Sequence, residues 1–234
     1  MQSKVLILGS INVDITVRVT KLPMPGETVH GSDPVNLPGG KGGNQAVAVA
    51  GAGATAVMVG AVGEDEIGAD ALRSLTRRGV DISQVSIVSG TTGIASIYVE
   101  DSGENTIVVS PGANAHVTPE NAELAISEIF ASAHPLVLAQ MELPLATVGH
   151  AAKLVNELGG RFILNLAPAI KPSATLLAAC DPIIVNEYEA QIVTGLMVES
   201  IEDAKKAALE ICRTAKSSVV TLGGLGAVVA QGDT

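Results

Sequence analysis

Five short apolar runs in this chain end in polar residues, the place where an open α/β sheet keeps its ligand-binding groups. VLILGSIN ends at Asn12, LVLAQME at Glu142, FILN at Asn165 and IIVN at Asn186, while VVTLGG carries Thr221 and Gly223. Asn12, Asp14, Lys41, Asn44 and Glu142 supply both the donors and the acceptors that a polyol requires, because each hydroxyl donates and accepts. The two carboxylates offer the stronger, charge-assisted bonds. A single Asn or Thr at a run end only caps a helix or turns a corner. Five on one rim predict a cleft for a polar ligand.

PGGKGGN, at 38 to 44, is a Gly-rich turn opening a helix, so backbone amides can approach a ligand closely and the helix start favours negative charge. It is not a Walker A loop, since Gly42 rather than Ser or Thr follows Lys41. GAGATA at 51 to 56 follows a helix and precedes a strand, the reverse of the order a dinucleotide fingerprint needs. His30, His116, His134 and His150 are widely spaced, with no metal-ligand pattern beside them, and no catalytic triad is argued from them. Cys180 and Cys212 form no CxxC pair, so reduced thiols in a cytoplasmic protein are the simple reading.

The elements that must position these groups are legible as periodicities. VLILG, at 5 to 9, is a continuous apolar run, the pattern of a central strand covered on both faces. From Ile11 to Val19 the pattern changes to strict alternation, which puts Asn12 and Asp14 on one face. A Pro/Gly turn then leads to a second short strand expected near Thr28 to Val35. GIASIYVE and ENTIVVS flank DSG at 101 to 103 as a second β excursion, a hairpin. Strand patterns recur at 136 to 139, 161 to 165, 183 to 185 and 218 to 222, separated by helical ones. One helix starts at Thr118-Pro119, a cap followed by Pro at the first helical position, and Gly79 reads as a helix stop.

This alternation predicts an α/β fold: a mostly parallel central sheet with helices on both faces, plus a small β lid. The core is expected over 1 to 12, 37 to 92 and 111 to 234, and the lid over 13 to 36 and 93 to 110. Composition narrows the function classes. Fourteen Lys and Arg against 24 Asp and Glu give a net charge of −10, the wrong sign for a protein that neutralises nucleic-acid phosphates. No run reaches the ~18 apolar residues of a membrane span.

GGKGGNQA at 39 to 46, followed by Gly53 and Gly63, resembles the amino-terminal signature of the ribokinase-like, or PfkB-type, carbohydrate kinases. SINVD, LPMPGETV, GENTIVVSPGAN, QME with Pro144, NLAPA, NEYE and TLGGLG extend the resemblance in order from residue 4 to 234. Leu166 is a small departure where the family more often has Pro. The resemblance implies ATP-dependent transfer of the γ-phosphate to a sugar, most specifically the 5-hydroxyl of D-ribose. It implies that Asn12, Asp14, Gly40, Lys41, Asn44 and Glu142 hold the sugar. It further implies that Asn186 and Glu189 organise phosphate and Mg²⁺-bound water, and that Thr221, Gly223 and Gly226 border the nucleotide. A monovalent cation such as K⁺ is implied too, with its site outside this chain.

The family's GAGD motif, with its anion hole and proton-accepting Asp, does not occur among the 234 residues, and the resemblance places it beyond Thr234. The expectation is therefore a chain lacking the carboxy-terminal part of the fold and its catalytic residues, inactive by itself, with Asp233 a turn residue. Alternatives at this point are a kinase for another sugar or a nucleoside, and a non-catalytic sugar-binding relative. Exposed lid edges predict a homodimer through 13 to 36 and 93 to 110.

Overall fold

The apolar run at the amino terminus becomes a buried strand because both of its faces find a helical cover. The computed structural model describes residues 4–131 and 134–232. Its strands are Lys4–Leu8 (β1), Asn12–Val19 (β2), Val35–Gly39 (β3), Thr55–Gly63 (β4), Asp81–Val88 (β5), Gly93–Glu100 (β6), Asn105–Ser110 (β7), Leu136–Gln140 (β8), Arg161–Asn165 (β9), Cys180–Val185 (β10), Ser217–Thr221 (β11) and Ala227–Gln231 (β12). The α-helices are Lys41–Gly51 (α1), Glu66–Arg77 (α2), Pro119–Phe130 (α3), Leu145–Glu157 (α4), Ala174–Ala179 (α5), Glu187–Thr194 (α6) and Ile201–Cys212 (α7).

Eight strands form one sheet in the order β12-β11-β10-β9-β8-β1-β4-β5, parallel throughout except for β12 against β11. This is the expected doubly covered α/β sheet. Ile7 and Met58 point to one face, where Ala46 of α1 and Ala71 and Leu75 of α2 meet them. Leu6, Leu8 and Val59 point to the other, with Ile126 of α3 and Val148 of α4. Leu6, Ile7 and Leu8 are fully buried, each stabilising the fold by about 1.5–3 kcal/mol relative to exposure.

The helix ends follow the local chemistry. Thr118 and Asn121 form a reciprocal capping box at the start of α3, with Pro119 in the first turn. Gly79, at φ 80°, takes the left-handed conformation just beyond α2. Among the described residues no helix is long and apolar enough to cross a membrane.

A second sheet, in the order β3-β2-β6-β7, stands beside the first. β6 and β7 are the antiparallel pair around Asp101–Gly103, and β2 joins β6 in parallel. The second strand of the first excursion lies at Val35–Gly39, not near Thr28–Val35. Gly31 makes only an isolated bridge to Val19, and Pro34 interrupts the earlier stretch. Pro38 is tolerated inside β3 because β3 is an edge strand. Its register, Gly39 opposite Asn12 and Leu37 opposite Asp14, brings the chain directly to the start of α1.

At the other end of the chain the described residues stop at Gly232, one residue past β12. Asp233, read above as a turn residue, and Thr234, beyond which the resemblance places the catalytic Asp and the anion hole, both lie outside the described residues. The expectation of a missing carboxy-terminal segment therefore rests on the sequence resemblance and not on this fold.

Candidate functional site

Where β1 ends, the chain passes from the large sheet to the small one, and the residues at that passage open onto a cavity of about 790 Å³. Asn12 and Asp14 of β2, Gly40, Lys41 and Asn44 at the start of α1, and Met141–Pro144 after β8 form its floor. Ala95 and Ile97 of β6 and Ile107 and Val109 of β7 form its apolar wall. Ala95 pairs with Val109 and Ile97 with Ile107, so these four share one face of the small sheet.

The glycines of GGKGG are steric necessities. Gly40 sits at φ 85°, and a Cβ there would lie 2.7 Å from the Asn12 backbone nitrogen. A Cβ on Gly42 would lie 2.6 Å from the backbone of both Gly9 and Ser10. The start of α1 can thus lie against the end of β1 only without side chains at these positions.

That helix start has no cap of its own; residues distant in sequence supply one. Glu142 Oε2 accepts from the Lys41 amide at 3.0 Å and from the Ser10 hydroxyl at 2.5 Å. Ser10 Oγ in turn accepts from the Gly42 amide at 3.3 Å. The carboxylate therefore satisfies a donor that the helix leaves open and complements its dipole. The Lys41 ammonium lies 3.9 Å from Glu142 Oε1 and is 40% exposed, a loose ion pair that leaves it available to a ligand.

Asp14 is different: among the described residues its carboxylate has no hydrogen-bond or ion-pair partner, although it lines the cavity. Burial, and secondarily the negative charge of Glu142, raises its pKa above the ordinary value, against the opposing pull of Lys41. A half-buried carboxylate held this way is ready to accept from a ligand.

Asn12 is oriented by a residue that sequence reading did not single out. Ile11 N–H donates to Asn114 Oδ1 at 2.9 Å, which makes the other end of that amide the donor. Asn114 Nδ2 then donates to Asn12 Oδ1 at 2.7 Å and to the carbonyls of Ile11 and Pro111. With its Oδ1 occupied in this way, Asn12 keeps its Nδ2 as the group available to donate, and Asn12 and Asp14 both line the cavity. Asn114 was visible only as the last residue of GENTIVVSPGAN; no local spacing marks it. Ser10 and the apolar wall residues were likewise unassigned.

The remaining site candidates lie around the ends of β9, β10 and β11. Asn165 ends β9, and Ala167 and Pro168 just after it line the cavity. Asn186 and Glu189 form the capping box of α6, each side chain accepting from the other's backbone amide at 2.8 Å. Glu189 is buried and also lines the cavity, and its Oε1 makes no hydrogen bond among the described residues. The sequence reading gave this pair only the role the resemblance implies; N-x-x-E before a helix is also a capping pattern, the local signal from which the cap could have been found. Thr221 donates to the Val185 carbonyl, joining β11 to β10. Gly223 and Gly226, at φ 51° and 100°, shape the turn after β11, where added Cβ atoms would meet nothing within 4 Å. Asn186, Thr221, Gly223 and Gly226 lie outside the cavity lining. Among the described residues no cluster of three or more His, Cys, Asp or Glu side chains could hold a metal directly. A lone carboxylate oxygen on Glu189 suits contact with a metal-bound water.

The pattern of the pfkB family carbohydrate kinases matches residues 2–234. The chain is 36% identical over 233 residues to the ribokinase of Haemophilus influenzae, covering 99% of this chain and 76% of that protein. It is 36% identical to the ribokinase of Schizosaccharomyces pombe, covering 95% of this chain and 73% of that protein. Its fold superposes, with a TM-score of 0.87 and 29% identity, on Arabidopsis thaliana ribokinase complexed with ribose and ATP, across 99% of this chain and 75% of that one.

Proposed function

The chain belongs to the pfkB family of carbohydrate kinases, and on that premise we propose that it binds D-ribose and ATP for transfer of the γ-phosphate to the sugar 5-hydroxyl. The observation that carries this reading is the unpartnered Asp14 carboxylate in one cavity with Asn12, whose Oδ1 is already taken by Asn114, and with Lys41, Asn44 and Glu142. A sugar hydroxyl that donates to Asp14 can accept from Asn12, which is what adjacent hydroxyls on a furanose or open chain offer. Ala95, Ile97, Ile107 and Val109 cover the apolar side of such a ligand and exclude water from it.

We assign the nucleotide to the open ends of β10 and β11, bordered by Thr221, Gly223 and Gly226, where the bare turn leaves room for an aromatic base. Mg²⁺ would be held on the nucleotide phosphates and reach the protein through water on Glu189, with Asn186 fixing that side chain. Bound there, the ion would neutralise phosphate charge. No residue of this chain is assigned as the base for the hydroxyl proton. Both Glu142 oxygens face partners already, and Asp14 serves as the acceptor that orients the sugar.

Calorimetry with ribose and with ATP is expected to give heat with each, and a coupled ADP-release assay over pentoses, ketohexoses and nucleosides reads acceptor choice. A ketohexose or nucleoside bound in preference to ribose reassigns the acceptor. Sugar binding without turnover, in a polypeptide that also carries a GAGD segment, supports a non-catalytic relative instead.

We also propose a homodimer through the small sheet. Val35 and Leu37 of the edge strand β3 are 55% and 54% exposed, and Ile107 and Val108 of the edge strand β7 are 53% and 57% exposed. Such apolar edges are normally covered. Light scattering should give twice the 23.6 kDa chain mass, and Ile107→Glu should return it to the single-chain value. A wild-type monomer at micromolar concentration rejects this.

A further inference from the structure

We propose that Asp65, outside the cavity, is a positioning residue for sugar binding: its carboxylate latches the root of the small sheet in the place that sets Asn12. The consequence for sugar affinity rests on the kinase reading above; the latch itself does not.

Asp65 is the N-cap of α2, and its Oδ1 accepts from the Gly68 amide at 2.7 Å. That bond alone would be met as well by Ser or Asn, which cap helices about as strongly. The carboxylate does more. Oδ1 also accepts from the Thr92 hydroxyl at 2.7 Å, and Oδ2 accepts from the Thr92 backbone amide at 2.8 Å. Thr92 is 1% exposed, and its hydroxyl accepts from the Gly63 amide at 2.9 Å. Two bonds to a charged acceptor thus tie the loop after β5 to the start of α2.

The residues on either side of Thr92 carry that constraint to the site. Thr91 O accepts from the Ala113 amide at 2.8 Å, so the entry to β6 and the exit from β7 are held together. Gly93, which opens β6, pairs with Asn12, and a Cβ there would lie 2.2 Å from Asn12 Oδ1 and 2.3 Å from Asn114 Nδ2. The backbone at 92–93 therefore packs directly on the Asn114–Asn12 contact. A shift of Thr92 by a fraction of an ångström moves the amide of Asn12, a residue of the cavity lining. Neither Asp65 nor Thr92 lines the cavity, so their effect on a ligand there must pass through this contact.

The test uses Asp65→Asn and Asp65→Ser, which keep a cap oxygen for Gly68 but remove the acceptor for the Thr92 amide. Hydrogen exchange over 93–110 is expected to speed up in both, with α2 unchanged. The ribose Kd is expected to weaken about tenfold, the scale of one lost bond to a charged group, while the ATP Kd stays within about twofold. Thr92→Ser, which keeps the hydroxyl, should match wild type. Exchange and ribose Kd at wild-type values in both variants would overturn the latch. So would equal weakening for ribose and ATP alongside a drop in Tm, the signature of a plain helix cap. If the wild-type chain binds no ribose, the kinase reading fails, and the latch stands or falls on exchange alone.

Discussion

Glu142→Ala is expected to lower the unfolding free energy by about 2–4 kcal/mol and to weaken ribose binding by well over tenfold. The side chain is only 15% exposed, and its Oε2 accepts from both Ser10 Oγ and the Lys41 amide. Truncation leaves the first amide of α1 without its acceptor and frees Ser10, which in turn supports the Gly42 amide. Because Gly42 packs against the backbone of Gly9 and Ser10, loosening this corner moves the floor of the cavity as well as the helix. Glu142→Gln keeps the shape and a carbonyl acceptor, so it should retain about half of the lost stability. Denaturant unfolding and calorimetry measure both effects. An alanine variant with wild-type stability would show that α1 is not capped in this way.

Asp14→Asn should have the opposite sign on stability and the same sign on binding. Burial, with the charge of Glu142, raises the folded-state pKa of Asp14 above its unfolded value. The folded state then binds the proton more tightly than the unfolded one. Stability consequently falls as pH rises through this window, and the ionised group weakens the fold above it. Asparagine removes that penalty, so Tm near neutral pH should stay level or rise, and the gap to wild type should close in acid. Ribose affinity should fall about 10- to 100-fold through loss of a charged acceptor. In the wild type, ribose affinity should also decline as pH drops through the raised pKa of Asp14, before an ordinary carboxylate would titrate. A variant that binds ribose as tightly as wild type would remove Asp14 from the site.

Much of this architecture was legible along the chain because its signals are local. Continuous apolarity in VLILG marked a strand with two covered faces, and Thr118-Pro119 marked a helix start. The hairpin at 93 to 110 was visible from DSG between two β-rich runs. The strand at Val35–Gly39 was misplaced because Pro38 argues against strand in general and is harmless only at an edge, and edges are decided by the assembled sheet. N-x-x-E at 186–189 was legible as a pattern, but its burial and its place on the cavity depend on how α6 packs.

By itself, the sequence determined which residue types stand at strand ends, that Asn12 and Asp14 share a face, and that glycines surround Lys41, since periodicity and composition need no distant partner. The tertiary structure decided what each of these groups does. Glu142 lies 101 residues from the amide it caps, and Asn114 lies 102 residues from the side chain it orients. Contacts of that separation leave no trace in local spacing, because they arise only when parallel strands β1 and β8 lie side by side and the small sheet is anchored above them. The polar residues around the cavity thereby become unequal: Glu142 is spent on a helix start, Asn12 accepts from Asn114, and the Asp14 carboxylate is left without a hydrogen-bond partner among the described residues.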